Sequence, residues 1–184
     1  MSKTRKELRT LEMRDKEKIP LKKRPYDIVF IIWFLLNLII IVYVIDIEQL
    51  IIKDPSSFTQ PLWPPAFVVN GMHWWGNNFD PLLIARPVFY QTTVWIDVLF
   101  FGPFYIVATY AFIKGKNWIR IPSILYSSII CANLNIIFFA AFSGDYPKPV
   151  TGIYLAAYLP YLVFPILLAV RMILKSHPFT KSGK

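Results

Sequence analysis

Cysteine occurs once in this chain of 184 residues, at Cys131, and histidine only twice, at His73 and His177. A single thiol in the middle of an apolar run excludes a disulfide frame. The three residues stand far apart and offer none of the spacings that hold a metal. The sequence contains no glycine-rich phosphate loop, no nucleophile motif, no N-x-[ST] acceptor and no evident internal repeat. Charge is scarce as well, at 17% of residues, against 55% hydrophobic and 17% aromatic with a mean hydropathy of +0.46. That apolar share is well above the share in an ordinary soluble domain and is that of a membrane protein.

The apolar residues fall in long runs. Residues 28–45 carry no charge, 87–113 carry only Asp97, and 121–142 and 150–170 carry none. A helix crossing about 30 Å of hydrocarbon needs about 20 such residues, and each run is too long for a strand of a membrane barrel. None of the four shows the polar face that a soluble bundle requires. The fold class expected is therefore an all-α membrane protein, a bundle of four transmembrane helices. The first run follows a long charged arm and ends at Asp46 and Glu48 without a small-residue cleavage site, so it reads as a retained helix rather than a signal peptide.

Lys and Arg set the expected orientation, because basic residues near helix ends stay on the cytosolic side. The first 24 residues carry ten of them, the connection between the second and third runs has Lys114, Lys116 and Arg120, and the C-terminal end has Arg171, Lys175, Lys181 and Lys184. The other connections hold Lys53, Arg86 and Lys148. Both termini are thus expected in the cytosol. The net charge of +9 lies in flanks that meet anionic membrane lipids, so it calls for no nucleic-acid partner. The expected division is a basic cytosolic arm over 1–25, a four-helix domain over 26–174 and a cytosolic tail over 175–184.

The connection from Asp46 to Arg86, about 40 residues rich in Pro, Trp, Asn and Gly, is long enough to carry structure of its own and reads as a lid over the bundle. Trp63, Trp74 and Trp75 within it suit either that lid or an interfacial aromatic belt. The unusual residue is Asp97, a carboxyl in the run TVWIDVLFFGPF. A carboxyl at the bilayer centre costs about 2.5–3.5 kcal/mol on insertion scales, so it faces the bundle interior with a partner. Asn133, Asn135 and Thr93 are the polar candidates, and a plain interhelical hydrogen bond competes with a ligand cavity as the explanation. Pro103, Pro160 and Pro165 bend their helices and open space between them. Tyr154, Tyr158 and Tyr161 align on one face of the last run. Asp46 and Asp80, at the ends of the first connection, either bring two more carboxyls to the same rim or stand exposed on the loop. Rings plus carboxylates suit an apolar ligand with a polar or cationic end.

Four stretches carry a resemblance: ATYAFIKGKNWIRIPSILYS (Ala108 to Ser127), YLPYLVFPILL (Tyr158 to Leu168), FDPLL (Phe79 to Leu83) and VID (Val44 to Asp46). Over roughly Tyr26 to Leu174 the chain resembles the EXPERA domain family, and within it the members that act as receptors. The resemblance implies four helices around a membrane-embedded pocket, residence in the endoplasmic reticulum membrane, frequent homodimers, no cofactor, and a role in sterol handling and cholesterol homeostasis. It implies that Asp46 is the first-helix acid that pairs with cationic amines and that Asp80 is the second acid, which positions it. Asp97 stands where the receptors carry a glutamate, a shorter acid here. Asn133 lies near a polar pocket residue, and Tyr158 and Tyr161 match the tyrosines of the last-helix motif. The function expected is a non-enzymatic receptor for sterols and cationic amphiphilic amines. The alternative is a sterol double-bond isomerase like other members of the superfamily. Isomerisation needs an acid and a base, and the runs supply Asp97 alone at mid-depth, with both histidines outside them.

Overall fold

The computed structural model describes residues 18–181, and among them every regular element is helical. The elements are α1 (Pro25–Ile51), α2 (Ala66–Phe79), α3 (Pro81–Ala85), α4 (Val88–Lys114), α5 (Asn117–Ser143) and α6 (Thr151–Leu174). Helices α1, α4, α5 and α6 are 27, 27, 27 and 24 residues long and apolar enough to cross a membrane. At 1.5 Å per residue the shortest is about 36 Å long, more than the hydrocarbon thickness. Ile32, Leu99, Ile121 and Ile166 lie exposed on their outer faces, as side chains facing lipid do. The basic arm falls outside the described residues up to position 17, as do residues 182–184 with Lys184.

Aromatic side chains join the helices. Phe34 of α1 sits 5.2 Å from Phe112 and 5.8 Å from Phe104 of α4, ring centre to ring centre. Trp33 stacks on Phe164 of α6 at 4.3 Å, which ties α1 to the opposite wall. Helices α5 and α6 pack along much of their length as an antiparallel hairpin. The tight turn from α4 to α5 needs Gly115, whose φ of 62° is the left-handed cap conformation; the Lys116 amide donates back to Ala111 at 2.8 Å and closes the turn.

Two helices contain widened, π-type turns, over Asn37–Asp46 in α1 and over Asp97–Phe101 in α4. In α4 the cause is Pro103. Its nitrogen has no hydrogen to donate and its ring crowds the carbonyl four residues back, which the wider turn accommodates. Asp46 closes one widened stretch and Asp97 opens the other, so both acids stand where the helical register shifts.

At the end of the bundle that holds both described chain ends, Asp27 is fully buried between two guanidiniums, Arg24 at 2.5 Å and Arg171 of α6 at 2.5 Å. Arg24 also donates to the Phe112 carbonyl at 3.0 Å and to the Ile19 carbonyl at 2.9 Å, and both arginines lie over the Phe179 ring. A charged group is tolerated at this depth because its charges are paired and hydrogen-bonded.

Candidate ligand cavity

The lid expected of the long connection contains a helix. Residues from Trp63 to Trp75, including much of α2, form one wall of a cavity of about 710 Å³, and α1, α4, α5 and α6 form the rest. Gly76 lets α3 pack closely against α2, since a Cβ there would fall 2.5 Å from the Ile84 side chain. The lid is fastened at three points. Trp63 donates its indole N–H to the Tyr43 carbonyl of α1 at 2.9 Å, the Val150 amide at the start of α6 donates to the Phe79 carbonyl at 3.3 Å, and His73 meets Glu48 of α1 at 2.9 Å.

Glu48 belongs to a cluster that residue-by-residue reading of the sequence does not reveal. It is fully buried and, besides its contact with His73, accepts two hydrogen bonds from Arg86 Nη2, at 3.0 and 2.8 Å. Arg86 donates further to the carbonyls of Leu83, at 3.1 Å, and Ile52. Its backbone is held in the left-handed region at φ 43°, which a non-glycine residue adopts only where its surroundings over-determine it. The signal available in the sequence was a charge pattern, a lone Arg and a lone His in a connection otherwise poor in them.

The cavity wall is apolar over most of its area, with Ile40, Val44, Met72, Val94 and Leu134 among its residues. Its polar groups are few and converge. Asp46, Asp97, Asn133, Tyr158 and Tyr161, five of the six residues expected from the sequence, all line it. Asp46 is 3% exposed, and its Oδ2 has no hydrogen-bond partner among the described residues. Asp46 and Asp97 line the same cavity within electrostatic reach of each other, so it holds two carboxyls where the sequence suggested Asp97 alone at that depth. Two like charges at that range are relieved by a shared proton or by a cation between them.

The expected partners of Asp97 are placed differently. Thr93 turns its hydroxyl to the Tyr90 carbonyl of its own helix at 2.8 Å, and Asn135 faces outward and bonds to Cys131 at 2.8 Å. Asn133 does reach the cavity, but its Nδ2 is buried without a hydrogen-bond partner among the described residues. Tyr154 shares the expected stripe, stacking on Tyr158 at 4.4 Å, but it lies off the cavity wall and packs against Phe138 and Phe142 of α5. Of the three tryptophans, Trp63 and Trp75 line the cavity, whereas Trp74 points outward.

Asp80, the sixth expected residue, stands one layer behind the wall. It is buried, caps α3 by accepting from the Leu83 amide at 3.3 Å, and accepts the Tyr158 hydroxyl at 2.5 Å. Burial pushes its carboxyl above the usual range, while the Tyr158 hydroxyl and the Leu83 and Leu82 amides pull it part of the way back. An acid with a raised folded-state value contributes stability that is fully present below its unfolded value and is lost as pH rises through the folded value. Tyr158→Phe removes the largest opposing contribution, so it raises that value further. The variant is expected to lose about 1.5 kcal/mol at neutral pH, where the carboxylate needs the donor, and progressively less as the pH falls below the folded value. Thermal melting of both proteins between pH 4 and 8 checks this; a cost independent of pH would contradict it.

Four membrane-length helices, a helical lid and an apolar cavity lined by two acids are the features of a multi-pass membrane protein. The family EXPERA (EXPanded EBP superfamily) matches residues 67–172, from the lid through nearly all of α6, and the chain belongs to that family. It is similar to proteins named sigma intracellular receptor 2. The frog relative from Xenopus tropicalis is 31% identical over 134 residues, covering 67% of this chain and 78% of the relative. The relative from Macaca fascicularis is 28% identical over 169 residues, 84% of this chain and 91% of its own. The human relative is 32% identical over 126 residues, 61% and 71% respectively.

Proposed function

We propose that the chain is a membrane receptor of the endoplasmic reticulum that takes sterols and cationic amphiphilic amines into the cavity and serves sterol handling, without catalysing a reaction. The observation that carries the reading is Asp46. It is a buried acid with a free carboxylate oxygen, set in an apolar wall beside a second acid, and so complementary to an apolar molecule with one cationic end. The names of the curated relatives, as intracellular receptors, support the same reading. In it Asp46 pairs with the amine, Asp97 adds negative potential, and Asp80 acts through Tyr158, which with Tyr161 and Asn133 borders the ligand. The reading includes a homodimer, and the division into arm, receptor domain and tail.

The isomerase reading also has a specific observation in its favour, the presence of both Asp46 and Asp97 in one cavity, since moving a double bond needs one group to give a proton and another to take one. His73 does not join that pair; it is held by Glu48. Mass spectrometry of the lipids that purify with the protein, followed by incubation with an added unsaturated sterol, separates the two. A receptor yields a bound sterol or amine and returns the added sterol unchanged, whereas a shifted double bond would overturn the non-enzymatic reading.

Both termini are proposed to face the cytosol. Arg24, Lys114, Lys116, Arg120 and Arg171 gather around one end of the bundle, and basic residues near helix ends are retained on that side. Epitope tags at both ends are expected to be stained in cells permeabilised only at the plasma membrane. Protection of either tag would contradict the orientation.

A further inference from the structure

Gln49 sits one helical turn beyond Asp46 and lines the same cavity, yet neither the resemblance nor the charge pattern points to it. It is 5% exposed. Its amide nitrogen donates to the Ile45 carbonyl of its own helix at 3.4 Å, which fixes the amide so that the oxygen is the free end. That oxygen, Oε1, is buried without a hydrogen-bond partner among the described residues, as is Oδ2 of Asp46. Residues three apart on a helix have Cβ atoms about 5–6 Å apart on one face. The wall thus presents two adjacent orphan acceptors, and a buried acceptor left unpaired is unfavourable until a donor reaches it.

We propose that Gln49 is a specificity residue that accepts a second hydrogen from the ligand's cationic end, so the cavity selects primary and secondary ammonium groups over tertiary and quaternary ones. The inference rests on the reading of Asp46 as the partner of the amine. One N–H of the ammonium donates to Asp46 Oδ2 and a second to Gln49 Oε1. A tertiary ammonium has one N–H and satisfies only the carboxylate; a quaternary one has none and leaves both oxygens unpaired. A sterol hydroxyl also has a single hydrogen and serves one of the two.

The test uses the full-length protein in phosphatidylcholine nanodiscs with 4-phenylbutylamine and its N-methyl, N,N-dimethyl and N,N,N-trimethyl derivatives, all cationic at neutral pH. The parent protein is expected to bind the first two at least five-fold more tightly than the third and at least ten-fold more tightly than the fourth. Gln49→Met keeps the length and apolar fit of the side chain and should compress the primary-to-tertiary difference to within about two-fold. Gln49→Glu keeps an acceptor at the same place and should preserve the preference. A parent with no preference, or a Gln49→Met protein that retains it, overturns the proposal while leaving Asp46 in place, provided that Asp46→Asn weakens all four. If Asp46→Asn weakens none of them, the amine reading of the cavity falls and this proposal falls with it.

Discussion

Arg86→Ala is expected to destabilise the protein by about 3–5 kcal/mol, the scale for removing one partner of a buried ion pair. The guanidinium supplies both hydrogen bonds that Glu48 receives from a permanently charged group, and it satisfies the carbonyls of Ile52 and Leu83. Once it is gone, Glu48 remains fully buried with His73 alone, and the left-handed backbone at position 86 loses the contacts that hold it. Because the cluster links α1, the lid and the start of α4, the lid should loosen first. Glu48→Gln introduced into Arg86→Ala removes the stranded charge and should recover part of the loss, whereas independent additive losses would show that the two residues do not act as a pair. Thermal melting of the four proteins in one detergent measures the cycle, and a loss below about 1 kcal/mol for Arg86→Ala would mean that water reaches Glu48.

Asp46→Asn is expected to weaken the binding of cationic amines by about ten- to a hundred-fold, the equivalent of about 1.5–3 kcal/mol for a hydrogen bond to a charged group. The substitution is nearly isosteric, so the cavity keeps its shape, and binding of an uncharged sterol should change far less. Asp97→Asn should act in the same direction and more weakly, since Asp97 is the less buried of the two acids. Equilibrium binding of one labelled amine and one labelled sterol to each variant checks the split. Equal losses for both ligands would show that Asp46 shapes the cavity rather than pairing with charge.

What the sequence made legible follows from how local the physics is. Hydrophobic length is a property of consecutive residues, so the four spans could be read directly, as could the oddity of Asp97 within one of them. Asp46 and Asp80 stood out as charges at run ends, and both proved buried rather than exposed on a loop. The relation between residues far apart in the chain was hidden. Nothing near Glu48 announces Arg86, 38 positions away, or tells that Asp80 would sit behind Tyr158 instead of on the cavity wall. Gln49 escaped notice for a different reason: an amide at the end of an apolar run looks like an interfacial residue until its neighbours show that its oxygen has no partner. The lid helix was the least legible element, because its Trp, Asn and Gly residues favour turns and interfaces locally, and packing of Val69 and Met72 is what holds them helical.

The ligand is proposed to lie between the lid and the four spans with its cation at Asp46. A cationic amine carrying a photoactivatable diazirine, irradiated on the protein in nanodiscs and mapped by mass spectrometry of the labelled peptides, tests it most directly. Adducts are expected within Ile40 to Gln49 of α1, at Met72 or Trp75 of the lid, or at Ala157 to Tyr161 of α6, all suppressed by excess unlabelled amine and lost in Asp46→Asn. Adducts confined to outward-facing residues such as Phe139, Leu167 or Ile173, unaffected by competitor, would contradict it.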